Sequence, residues 1–191
     1  MRRKPLVERL GAILFATSSQ VERGAIGFRL IASPALSLVM FLSRDRLPYW
    51  EYAIGAVVVM FVTNIWLGYA NRTNRITPNR SALWGSLIDT GLLLIISSLA
   101  IRASAEISAT SEMWLVFPLV ILGFVYRARP FAGIAYSILL TTWYSAHILM
   151  YFDPGDRAVT ELPIRATFFV LMGGLAAVLG NSLRQQGADP D

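Results

Sequence analysis

A single carboxylate interrupts a long apolar stretch of the sequence: Asp89, within LIDTGLLLIISSLAI at residues 87–101. Among aliphatic neighbours an ionised carboxyl is stable only if a cation pairs with it or a proton neutralises it. Such a residue faces the interior of a helix bundle. It serves there as a proton or cation site, as a polar switch that repacks on a signal, or as a hydrogen-bonding acid that fixes helix register. Arg29 interrupts the earlier stretch AIGFRLIASPALSLVMFLS in the same way. It can pair with Asp89, although an arginine one turn inside such a stretch more commonly snorkels to the headgroups. His147 and Arg165 stand near the ends of two later stretches, where both can reach water or Glu161. A pH or anion sensor can be built from such a set, because imidazole titrates near neutrality; a lone histidine there is more commonly a satisfied interfacial side chain.

Other chemistry finds no residues to carry it. The chain has no Cys and one His, which removes thiolate catalysis, disulfides, iron–sulfur clusters and multi-histidine metal sites. A single histidine can ligate haem in principle, but no second ligand or haem-contact pattern accompanies His147. No phosphate-binding glycine loop, dinucleotide fingerprint, HExxH helix or GxSxG elbow occurs. No catalytic residue, metal or cofactor is expected.

The elements that must position these residues follow from composition. The 191 residues are 55% hydrophobic and only 15% charged, with a mean hydropathy of +0.54. The apolar residues gather into separate runs, which describes an all-α polytopic membrane protein, since only helices satisfy their own backbone in lipid. Six transmembrane helices are expected, at Ala25–Ser43, Glu51–Ala70, Ser81–Ile101, Met113–Tyr126, Phe131–Tyr151 and Ile164–Leu183. The fourth is the shortest, and needs Thr110–Glu112, a thinned bilayer or the shelter of the bundle. Residues 1–24 are an uncleaved amphipathic lead-in on the membrane face, residues 25–183 the bundle and residues 184–191 a tail.

Placing the N-terminus inside puts 11 Lys and Arg on the cytoplasmic segments against 4 on the outer loops. That difference sets both termini in the cytoplasm of a multi-pass inner-membrane protein, and it makes the pI near 10.0 a topology signal rather than a sign of nucleic-acid binding. Tyr49, Trp50, Trp114, Tyr126 and Tyr151 fall near span ends as interfacial anchors. Pro34 and Pro118 remove backbone donors and should kink the first and fourth spans. Small residues four apart permit close helix approach, within or between subunits. These are Gly173 with Ala177, Ala176 with Gly180, and the series Gly133, Ser137, Thr141 and Ser145.

Three features of residues 81–186 together carry a resemblance. They are the acid-bearing third span, the segment EMWLVFPLVILGFVYRAR ending in a basic turn, and the last span ATFFVLMGGLAAVLGNSLRQQ running into a polar helix. This half resembles the six-span N-terminal membrane module of bacterial sensor histidine kinases, diguanylate cyclases and class III adenylate cyclases. The resemblance implies a dimerising, non-catalytic sensory module that relays a membrane or extracellular stimulus through its last helix to an output domain. It departs from those proteins in lacking the phosphoacceptor histidine, nucleotide-binding and cyclase segments, and Gly187 and Pro190 would interrupt a coiled coil. The expected partners are the lipid bilayer, a second copy or another membrane protein, and a cytoplasmic output domain, with no nucleic acid. Two other readings stand beside it. One is a small transporter or channel with Asp89 as coupling site and His147 with Arg165 as outer gate; the other is an accessory subunit of a membrane complex.

Overall fold

The structure, a computed structural model, describes residues 6–15, 17–42, 50–106 and 116–186. Among them every regular element is a helix: α1 Leu6–Leu14, α2 Ser19–Leu42, α3 Trp50–Arg72, α4 Pro78–Glu106, α5 Val116–Val125, α6 Pro130–Tyr151, α7 Arg157–Thr160 and α8 Leu162–Gln186. Among the described residues three helices are long and apolar enough to cross a bilayer, over Trp50–Arg72, Pro78–Arg102 and Leu162–Ser182. Over the described residues the chain is thus all-helical, and these helices are compatible with a membrane protein. α2 begins at Ser19, six residues before the expected span, and the four-residue α7 lies in what the sequence reads as a loop. Tyr49, Trp114, the start of the fourth span and residues 187–191 lie outside the described residues.

The chain divides into two compact units, Met1–Ile96 and Ser97–Asp191, and α4 runs on through the boundary. In the first unit α2 and α3 pack along each other. The buried positions of α3 include Ala53, Val57, Asn64, Leu67 and Asn71, and those of α2 include Glu22, Ile26, Arg29 and Ser33. The α2 set recurs at three- and four-residue intervals and the α3 set at three, four and seven, the seam of two helices crossing at a shallow angle. A Cβ on Gly68, near the end of α3, would stand 3.4 Å from Ile26 Cγ2, near the start of α2, so the two run antiparallel.

The turn into α4 is chemically specified. Asn74 takes the left-handed conformation at φ 55, and the Arg75 N–H reaches back to the Ala70 carbonyl at 2.8 Å, closing α3 as a Schellman-type cap. Thr77 then starts α4, its Oγ1 accepting the Arg80 N–H at 3.4 Å, with Pro78 at the first helical position. The lead-in folds back to this turn: Gly11 of α1 faces the Asn79 carbonyl, 3.2 Å from where a Cβ would lie, and the Thr17 N–H donates to Asn79 Oδ1 at 3.1 Å.

In the second unit α5, α6 and α8 pack together. The buried face of α6 includes Gly133, Ser137, Leu140, Tyr144 and Ile148, and that of α8 includes Arg165, Phe169, Gly173, Ala176, Ala177 and Gly180. Contacts at Ser137–Gly173 and Tyr144–Arg165 advance seven residues along α6 and retreat eight along α8, so these helices are antiparallel. Gly173 thus sits against Ser137 within the chain. The hydroxyls on this face return hydrogen bonds to their own helix, Ser137 Oγ to Gly133 O at 2.9 Å and Thr141 Oγ1 to Ser137 O at 2.7 Å. Phe117 of α5 fills the remaining space, stacked on Phe169 at 5.3 Å and edge-on to Tyr144 at 5.1 Å. Pro34 and Pro118 both lie within helices that continue past them.

Two adjacent glycines provide a test of this packing. A Cβ at Gly173 would fall 1.8 Å from Ser137 Oγ and 2.5 Å from its Cβ, whereas Gly174 has nothing within 4 Å. Gly173→Ala is expected to destabilise by about 1–3 kcal/mol through overpacking. Gly174→Ala should be neutral or stabilising by up to about 1 kcal/mol through helix propensity. Thermal unfolding of both variants in detergent reads the opposite signs.

Candidate functional site

The first unit contains the charged site that the sequence singles out. α2 and α4 are joined at two levels: Ser81 Oγ donates to Glu22 Oε1 at 2.9 Å, and Arg29 Nη2 pairs with Asp89 Oδ2. The first contact advances to the second by seven residues on α2 and eight on α4, so these helices run parallel and the levels lie about 10 Å apart. Arg29 does not snorkel, because it projects from the face of α2 that also carries Glu22, Ile26 and Ser33, and the side chains of Arg29 and Asp89 are only 9% and 13% exposed. The contact is an ion pair rather than an aligned hydrogen bond, since neither Arg29 Nη meets an acceptor in hydrogen-bonding geometry.

Gly85 makes this pairing sterically feasible. It stands one turn before Asp89 on α4, and a Cβ there would lie 2.6 Å from Arg29 Nη1, so the guanidinium rests on bare backbone as it reaches the carboxylate. Ser33 Oγ bonds the Arg29 carbonyl at 2.6 Å, holding the same turn of α2. Asn64 of α3 donates Nδ2 to the Met60 carbonyl at 2.7 Å, while its Oδ1 and the Nδ2 of Asn71 are buried without a hydrogen-bond partner. The Gly68–Ile26 register places Asn64 level with Arg29 and Asn71 level with Glu22. Polar side chains of three helices thus share two layers.

His147 and Arg165 belong to the second unit and meet different partners there. His147 stacks on Trp143 at 3.8 Å, with Nδ1 3.1 Å from the Trp143 carbonyl and Nε2 3.5 Å from Ser98 Oγ. Arg165 is 5% exposed, donating Nη1 to the Tyr144 hydroxyl at 2.8 Å and Nη2 to Glu161 Oε2 at 2.6 Å. Arg157 holds the other oxygen of Glu161. The hydrogen bonds from Arg157 and Arg165 keep the Glu161 carboxyl below the usual carboxylate range.

The sequence reading missed Gly85, Glu22, Ser81, Asn64, Asn71 and Tyr144. Gly85 had a usable signal, a residue without a side chain one turn from an intramembrane acid. Glu22 falls within the lead-in of residues 1–24 and is fully buried. Among the described residues no group of three His, Cys, Asp or Glu is placed to hold a metal ion. What the first unit brings together chemically is a mostly buried guanidinium and carboxylate that form a locally neutral pair.

Removing either member leaves a buried charge, which typically costs about 3–5 kcal/mol. Asp89→Asn strands a guanidinium that cannot lose its proton, so it should be the more harmful single change; Arg29→Gln leaves a carboxyl that protonation can neutralise. The double variant should lose less stability than the two singles added, and a double-mutant cycle of unfolding free energies reads that coupling.

For Glu161 the sign runs the other way from a histidine. Its folded carboxyl titrates below the reference value of 4.5, so its contribution is present above that pH and is lost as pH falls through the lower folded value. Glu161→Gln is expected to lower the melting temperature at neutral pH, with the gap from the unsubstituted protein closing in strong acid. An equal gap at both pH values would remove the ion pairs from the account.

Comparison with known protein families, with curated proteins and with solved structures gives no match to this chain.

Proposed function

We propose that the chain is a six-span inner-membrane module with both termini in the cytoplasm. It has no catalysis of its own, and relays a membrane or extracellular stimulus to an output domain or partner protein. The observation that carries this reading is the buried Arg29–Asp89 pair between parallel helices. A contact of that kind is either made or broken, which gives the first unit a discrete change to pass on. α8 supplies the exit, an apolar helix that continues through Gln186. The excess of basic residues on the segments assigned to the cytoplasm supports the topology. A transporter needs a coupling carboxylate that releases its counter-ion in every cycle, and an arginine already in place favours a switch over a carrier.

The test is a chimaera in which the chain is joined in helical register after Gln186 to a nucleotide cyclase domain. Arg29→Gln and Asp89→Asn should each shift basal cyclase output, and exchanging the two residues should restore it towards the original level. Output indifferent to both changes would refute the relay. A cation flux in proteoliposomes that Asp89→Asn abolishes would install the transporter in its place.

A further inference from the structure

One end of the first unit gathers basic side chains around an apolar stripe. The start of α2, the end of α3, the turn 73–77 and the start of α4 meet there, and α1 is fastened to them through Asn79. Arg23, Arg72, Arg75 and Arg80 are all exposed at this end. Among the described residues none of the four meets a carboxylate, and Arg75 lies over the Tyr69 ring at 5.4 Å. Glu22 at the same end is turned inward on Ser81.

α1 has two apolar sides. One buries Gly11 against Asn79 of α4. The other leaves Leu6, Leu10 and Ile13 at 71%, 41% and 54% exposure, a stripe at four- and three-residue spacing. Nine residues of helix reach only about 14 Å, less than half a bilayer's hydrocarbon thickness, so α1 cannot cross it. An exposed apolar stripe on a short helix beside unpaired cations matches a headgroup layer, with acyl chains below and phosphates at the level of the charges.

We propose that this end of the first unit is a docking surface for anionic phospholipid. α1 lies in the headgroup plane with Leu6, Leu10 and Ile13 at the acyl boundary, and Arg23, Arg72, Arg75 and Arg80 take the lipid phosphates. The inference is independent of the relay reading, since it concerns lipid selection and no output.

Because the chain has no cysteine, Ile13→Cys gives a single attachment point for an environment-sensitive fluorophore. The full chain is reconstituted in nanodiscs of phosphatidylcholine alone or mixed with phosphatidylglycerol. The emission should shift to the blue on adding phosphatidylglycerol, and high salt should reverse the shift. In native mass spectrometry from mixed nanodiscs, retained phosphatidylglycerol should exceed phosphatidylcholine. The exposed triple change Arg72→Gln, Arg75→Gln, Arg80→Gln should reduce that preference by about fivefold per arginine, with the melting temperature showing that the fold persists. Equal emission in both lipids, or a lipid preference that survives the triple variant, would overturn the proposal. So would a label buried in detergent and released on dilution, which would assign the stripe to a second copy.

Discussion

An arginine and an aspartate can be carried into the apolar interior of a membrane bundle only together. Either one alone is a buried charge with nothing to offset its lost hydration; paired, they form a neutral group. That requirement organises the first unit. It brings the face of α2 that bears Arg29 against the face of α4 that bears Asp89, places a glycine where the guanidinium must pass, and sets α2 and α4 parallel with a second polar contact at Glu22 and Ser81. α3, running antiparallel to α2, adds Asn64 and Asn71 at the same two levels.

The second unit is held by a different interaction. Its helices approach closely because Gly173 and the small residues of α6 let them, and dispersion between closely packed surfaces replaces the hydrophobic effect that lipid does not supply. The aromatic group of Phe117, Tyr144 and Phe169 packs between the helices, and the Tyr144 hydroxyl accepts from Arg165. Arg165 in turn is neutralised by Glu161 at the edge of α8, so its charge lies beside the apolar packing without disrupting it.

Much of this was legible because lipid restricts the options. Runs of apolar residues could only be helices, and among the described residues every regular element is one. Charged positions inside the runs stood out against their neighbours. Their partners were less legible. Arg29 stands one turn inside its stretch, where the choice between headgroup and bundle depends on rotation about the helix axis; the recurrence of residues 22, 26, 29 and 33 on one buried face decides it. His147 and Arg165 look alike in sequence, each a polar residue near a span end, yet one turns to an indole and a serine and the other to a tyrosine and a glutamate. Close approach at Gly173 was readable as a tendency of small residues, but which helix it meets depends on tertiary register.

The measurement that most directly tests the central claim is a dipolar-recoupling solid-state NMR experiment on the full chain in bilayers. It reads the distance from the Arg29 guanidinium nitrogens to the Asp89 carboxyl carbon alongside their distance to lipid phosphorus. Pairing predicts strong coupling to the carboxyl carbon, at a separation of about 4 Å, and none to phosphorus. Coupling to phosphorus with none to the carboxyl carbon would put Arg29 at the headgroups and dissolve the joint between α2 and α4.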